Sequence, residues 1–154
     1  MKEIKAPHPY RLTKTALFLA GSIEQGKAEH WQRKIVAALA DEDILILNPR
    51  RESWDASWDE DERNARFRTQ VTWELNALQR ADIILFNFLP DTLSPISLLE
   101  LGLYKDHPRV VVRCPHGYWR HGNIEIVCKR FKIPLFAELD EALTRVRRYI
   151  QECS

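Results

Sequence analysis

Two carboxylates stand in apolar company along this 154-residue chain, and their placement raises the question of chemistry. Glu100 sits in PISLLELG, between leucines on a short apolar helical stretch. It must either point to solvent or be held in a polar pocket, because an isolated buried carboxylate is strongly penalised. Glu74 shares a helical face with Val71, Leu75 and Leu78, where a solvated helix glutamate is the alternative. A third feature is the turn in LFLAGSIEQG. Gly21 lets the chain turn tightly there, so the backbone N–H groups of Ser22 and its neighbours could face an anion or a sugar, or simply connect strand to helix. The turn is neither GxGxxG nor a GK[ST] phosphate loop, so dinucleotide and ATP sites lose support. His116 and His121 flank a polar loop without a third ligand at suitable spacing, so no metal and no cofactor is expected.

These residues must be positioned by a scaffold, and its pattern is legible. Short runs that are apolar on both faces occur at residues 16–20, 44–47, 83–88, 110–113 and, more weakly, 133–136. Amphipathic stretches alternate with them, marked by Trp31, Ile35, Ala38 and Leu39; Val71, Leu75 and Leu78; Leu98, Leu99, Leu101 and Leu103; Ile124, Val127, Cys128 and Phe131; and Leu139, Leu143, Val146 and Ile150. The alternation predicts an α/β fold: a single-domain, flavodoxin-like (Rossmann-like) doubly wound sheet of five parallel strands with helices on both faces. Residues 1–14 read as an N-terminal extension and 15–154 as the domain. Residues 48–66 are too long for an ordinary strand-to-helix loop, and they fall at the carboxyl edge of the sheet, where such folds bind ligands.

Composition narrows the partners. The 23 Lys+Arg against 22 Asp+Glu leave a net charge of +1, which removes the electrostatic drive toward a nucleic-acid polymer. No apolar run approaches the ~18 residues of a membrane helix, and the three cysteines (Cys114, Cys128, Cys153) lack disulfide or zinc spacing. A cytoplasmic protein with free thiols, not bound to a membrane, is expected.

Taken together and in order, LFLAGS, NPRR, QVTWE, ADIILF and PISLLELG resemble the nucleoside 2-deoxyribosyltransferase-like proteins over roughly residues 17–131. The resemblance implies an enzyme that cleaves the N-glycosidic bond of a 2′-deoxyribonucleoside and passes the sugar to another free nucleobase. Related members hydrolyse nucleoside 5′-monophosphates, and a nucleotide-binding sensor that has lost catalysis is a further alternative. The Glu of the family's ExG motif corresponds to Glu100, the nucleophile, which forms a covalent glycosyl-enzyme. Glu74 corresponds to the carboxyl group that contacts the base and exchanges a proton with it.

The resemblance also assigns binding roles. Asn48, Arg50 and Arg51 open the loop that forms the base pocket, and Trp54, with Trp58 and Trp73, offers flat surface for a base, with core packing the alternative for Trp73. Asn123 lies in the loop from which an Asn reaches a neighbouring subunit's sugar site, which implies a homo-oligomer with active sites completed across subunits. Two departures stand out. Phe18 occupies the position of a Tyr whose hydroxyl positions the nucleophile. Ser94 occupies the spacing of an acid near the sugar 3′-hydroxyl, with Asp91 three residues earlier as its possible substitute. For a 5′-monophosphate the discriminating signal is phosphate-binding Ser and Arg groups around the first turn, where Ser22 alone is placed.

Overall fold

A computed structural model describes residues 1–52 and 57–154. Strands and helices follow in the order β1 (Lys2–Lys5), β2 (Ala16–Gly21), α1 (Trp31–Ala38), β3 (Leu45–Asn48), α2 (Ala65–Arg80), β4 (Ile83–Asn87), α3 (Pro95–Tyr104), β5 (Val110–Arg113), α4 (His121–Phe131), β6 (Leu135–Phe136) and α5 (Leu139–Cys153). A single turn of 3-10 helix, Glu24–Gly26, follows β2. The sheet runs β1-β3-β2-β4-β5-β6 and every pairing is parallel.

Strands β2 to β6 correspond to the five apolar runs, and their order is the flavodoxin-like 2-1-3-4-5. The sheet has six strands, not five. The additional one, β1, pairs with β3 at the edge, with Glu3 opposite Ile46 and Ile4 opposite Leu47. Its KEIK sequence buries Ile4 alone, so it carries none of the two-sided apolar signal of an interior strand. Charged residues are what an edge strand needs to resist further pairing.

Period-two alternation sorts the strand residues into two cores. Leu17, Leu19, Ile46, Ile83, Leu85 and Val111 face α1 and α5. Phe18, Ala20, Leu47, Ile84, Phe86 and Val112 face the layer containing Trp73 and Ala77 of α2, Leu101 of α3 and Ile124 of α4. Both candidate carboxylates therefore stand on helices of one layer. Trp73 resolves toward packing: it is buried, meets Tyr10 edge-on at 5.7 Å and donates its indole N–H to the His8 carbonyl at 2.9 Å. The segment before β2 is thereby tied to α2.

The order in which strands are added reverses between β2 and β4, the switch point at which such folds open a crevice. Gly21 ends β2 there with φ +147°, and a Cβ on it would lie 2.2 Å from the Asn87 carbonyl oxygen of β4. Only glycine permits so close an approach of the two strand ends. Cys114, Cys128 and Cys153 are free thiols, and burial pushes the first two up to about 12 and about 11, which keeps them protonated and unreactive. Among the described residues, no helix is long and apolar enough to cross a membrane.

Candidate active site at the carboxyl edge of the sheet

Helix α3 leaves a loop at the carboxyl end of β4, with Pro95 at its first turn, where a missing N–H costs nothing. Ser97, Glu100 and Leu101 form its buried face, spaced to share one side of the helix. Glu100 is only 7% exposed, and among the described residues it has no hydrogen-bond partner. Burial, and then the negative charge of Glu74, push its carboxyl up to about 8. That Coulombic effect brings the two sequence candidates into one site.

Glu74 is held differently. Gln70 lies one helical turn before it on α2 and donates from Nε2 to Glu74 Oε1 at 2.6 Å. The same amide nitrogen donates to the Pro49 carbonyl, and its oxygen accepts from Arg51 Nε at 2.5 Å. These contacts fix the amide's orientation and occupy one carboxylate oxygen of Glu74. Part of Glu74 remains open to solvent, yet its carboxyl end sits deep in the cleft, and burial raises it to about 7 against the opposing effects of Gln70 and Arg51. Gln70 was not singled out from the sequence, although its i, i+4 spacing to Glu74 is the helical pairing rule. Arg51 also lies over the Trp58 ring at 4.5 Å.

A hydroxyl cluster closes the crevice between β2 and β4. Ser22 is fully buried; its Oγ lies 2.7 Å from Thr92 Oγ1 and 2.6 Å from Ser94 Oγ, and it accepts from the Leu89 N–H at 3.1 Å. Thr92 and Glu24, absent from the sequence candidates, both join this cluster. Glu24 Oε1 accepts from the N–H groups of Leu93 (3.1 Å) and Ser94 (2.8 Å).

The remaining candidates are dispersed. Arg50 is buried and gives its guanidinium to the carbonyls of Gly26, Ala28 and Glu29, pinning the segment after β2. Asn48 accepts from the Arg50 N–H and donates to Glu3 of β1, so it shapes the start of the loop. Asp91 is exposed, with a left-handed backbone (φ 59°). Asn123 is exposed on the first turn of α4. Trp54 lies outside the described residues.

Phe18 is fully buried on β2, in the same core as Trp73 and Leu101, the chain neighbours of the two carboxylates. A Tyr there is expected to offer Glu100 the hydrogen bond it lacks, stabilising the ionised form. Phe18→Tyr should then turn over faster and move the acid limb of the pH–rate profile to lower pH. An unchanged limb and rate would mean that residue 18 does not reach the nucleophile.

A crevice at the switch point, two coupled carboxyl groups and a polar rim form the arrangement against which similarity to known proteins can be set. Residues 14–118 match the family described as nucleoside 2-deoxyribosyltransferase like. The chain belongs to that family. Among solved structures, a conserved protein from Enterococcus faecalis V583 superposes with a TM-score of 0.62 at 12% identity, covering 88% of this chain and 98% of that one. At that identity the likeness carries the fold alone. Comparison with curated proteins gives no match.

Proposed function

We propose that the chain transfers the sugar of a 2′-deoxyribonucleoside between nucleobases. Glu100 attacks C1′ as the C1′–N bond breaks, and the departing base takes a proton from Glu74 onto its nitrogen. The incoming base then attacks C1′ of the glycosyl ester, Glu100 leaves as a carboxylate, and the proton of the new base passes to Glu74. Two displacements give net retention. The observation that carries this reading is the asymmetry of the pair. Among the described residues Glu100 has no hydrogen bond to hold it back from a substrate, whereas Glu74 is anchored through Oε1 and keeps its other oxygen for proton transfer.

Incubating the protein with mixed 2′-deoxynucleosides and free bases, followed by chromatography, tests the reading. Exchanged nucleosides support transfer. Free bases with released sugar indicate hydrolysis, and unchanged compounds indicate a binding protein without catalysis.

We also propose that the working form is a homo-oligomer. Ile96, Leu99 and Leu103 project from α3 at 58%, 59% and 60% exposure, one helical stripe on the back of the helix that carries Glu100. Gly102 lies on the same helix with nothing within 4 Å of a Cβ built there, which leaves room for another chain to approach closely. An apolar stripe of this kind suits a second copy. Leu99→Arg is expected to shift the sedimentation coefficient toward the monomer and to lower activity with it. A wild-type protein that sediments as a fully active monomer would overturn the proposal.

A further inference from the structure

Glu24 opens the 3-10 turn after β2 with φ 49°, a left-handed conformation that costs a non-glycine residue free energy. Its carboxylate is placed where that cost is offset: Oε1 takes the N–H groups of Leu93 and Ser94 at the head of α3. Ser94 (φ 50°) is left-handed as well, so both ends of the Glu24–Ser94 contact hold this backbone conformation. From the other side, Tyr118 Oη and Trp119 Nε1 donate to the Leu93 carbonyl at 2.6 and 3.2 Å. The segment is clamped through both its N–H and its C=O groups. Beside it lie the joined hydroxyls of Ser22, Thr92 and Ser94.

Two N–H groups converging on one oxygen, beside three hydroxyls at the carboxyl edge of a sheet, would suit an oxygen of a phosphate. Here a carboxylate of the chain itself takes that place. No Lys or Arg bonds to the cluster among the described residues; Arg113, at the end of β5, gives its guanidinium to the carbonyls of Ala137 and Phe88 and to Asn87 Oδ1. Ser94 heads the helix whose buried face carries Ser97 and Glu100, so the cluster lies at the N-terminal end of that helix, less than two turns from Glu100. A sugar with C1′ at Glu100 can therefore extend its 5′ end toward the hydroxyls.

We infer that Glu24 is a specificity-determining residue: it fills the anion position at the head of α3, so the site accepts a sugar with a free 5′-hydroxyl and rejects a 5′-phosphate. This rests on the glycosyl-transfer reading for the orientation of the sugar. The hydroxyl cluster can donate to and accept from a neutral 5′-hydroxyl, whereas a phosphate would bring its negative charge against a fixed carboxylate.

Calorimetric titration of the full chain with the four 2′-deoxynucleosides and their 5′-monophosphates tests the inference, with turnover followed in parallel by chromatography. The proteins compared are wild type, Glu24→Gln, which keeps an acceptor oxygen but no charge, and Glu24→Gly, which suits the left-handed backbone. Wild type should bind nucleosides at least about tenfold more tightly than monophosphates. That ratio should fall by at least about tenfold in Glu24→Gly and by less in Glu24→Gln. Equal or tighter binding of monophosphates by wild type, an unchanged ratio in the variants, or no binding of any nucleoside would overturn it. If the ratio shifts as expected but no C1′–N bond is cleaved, glycosyl transfer fails while the role of Glu24 in discrimination stands. Cleavage with an unchanged ratio leaves glycosyl transfer standing and removes Glu24 from discrimination.

Discussion

Glu100→Gln is expected to abolish turnover and at the same time to stabilise the protein at alkaline pH. The kinetic loss should be on the order of 10³-fold or more, because one carboxylate serves both displacements and nothing nearby replaces it. The gain in stability follows from the same burial. The carboxyl of Glu100 is raised to about 8 in the folded protein, against about 4.3 for an unfolded chain. A group raised in this way stabilises the fold fully below its unfolded value, and that contribution is lost as pH climbs through its folded value. Glutamine is indifferent to pH. The variant's advantage should therefore grow from pH 4 to pH 8 and level off above, reaching on the order of 5 kcal/mol at most. Urea denaturation at pH 5 and pH 9 reads this directly; equal stability differences at the two pH values would place Glu100 in contact with water.

The second large effect belongs to Glu74. The pair titrates with apparent values of about 7 and about 8, and such values describe the two coupled groups jointly. Catalysis needs one proton on the pair; because Glu100 has the higher value, the reacting form, with the proton on Glu74 and Glu100 ionised, is the minor of the two singly protonated forms. Below about 7 the pair carries both protons and lacks a nucleophile; above about 8 it carries neither and lacks an acid. Wild-type kcat/KM is expected to be bell-shaped, with its maximum between these limits.

Glu74→Gln should change that profile on one side only. The alkaline limb disappears with the acid. The acid limb stays, because there Glu100 ionises beside a neutral Glu74 and burial holds it up. The rate with ordinary nucleosides should fall by about 10²- to 10⁴-fold, and much less for a 2-deoxyriboside whose leaving group needs no proton. A uniform loss across leaving groups, with the wild-type bell retained, would remove Glu74 from proton transfer.

How far the molecule can be read from residues alone differs between elements. The interior strands were legible because a strand covered by helices on both faces must be apolar throughout, as IILFN of β4 is. β1 was not, since three of its four residues are charged and only pairing with β3 defines it. β6 retains two residues of the apolar run at 133–136, because Ile133 gives its N–H to the Cys128 carbonyl at the end of α4 and Pro134 has no N–H to pair, although its carbonyl accepts from Val112.

The same division runs through the site. Glu100 was visible as a carboxylate among leucines, and Glu74 as one on an apolar helical face. The hydrogen bond from Gln70 was available in the i, i+4 spacing, but the contact from Arg51 that fixes the amide depends on the path of the long loop. Arg50 illustrates the converse. A basic residue at the mouth of a ligand-binding edge suggests a substrate contact, yet its guanidinium is bonded to three backbone carbonyls. Such carbonyls leave no trace in side-chain identity. Glu24 meets Leu93 and Ser94 across about seventy residues of chain, through a backbone conformation that its residue type does not announce.

The most direct test of covalent catalysis by Glu100 is mass spectrometry of the protein quenched with acid during turnover of a 2′-deoxynucleoside with no acceptor base present. A single 2-deoxyribosyl adduct is expected on the peptide that contains Glu100, formed by wild type, absent from Glu100→Gln and discharged when a free base is added. Turnover that yields the inverted anomer with no adduct, or an adduct on any other residue, would contradict this mechanism.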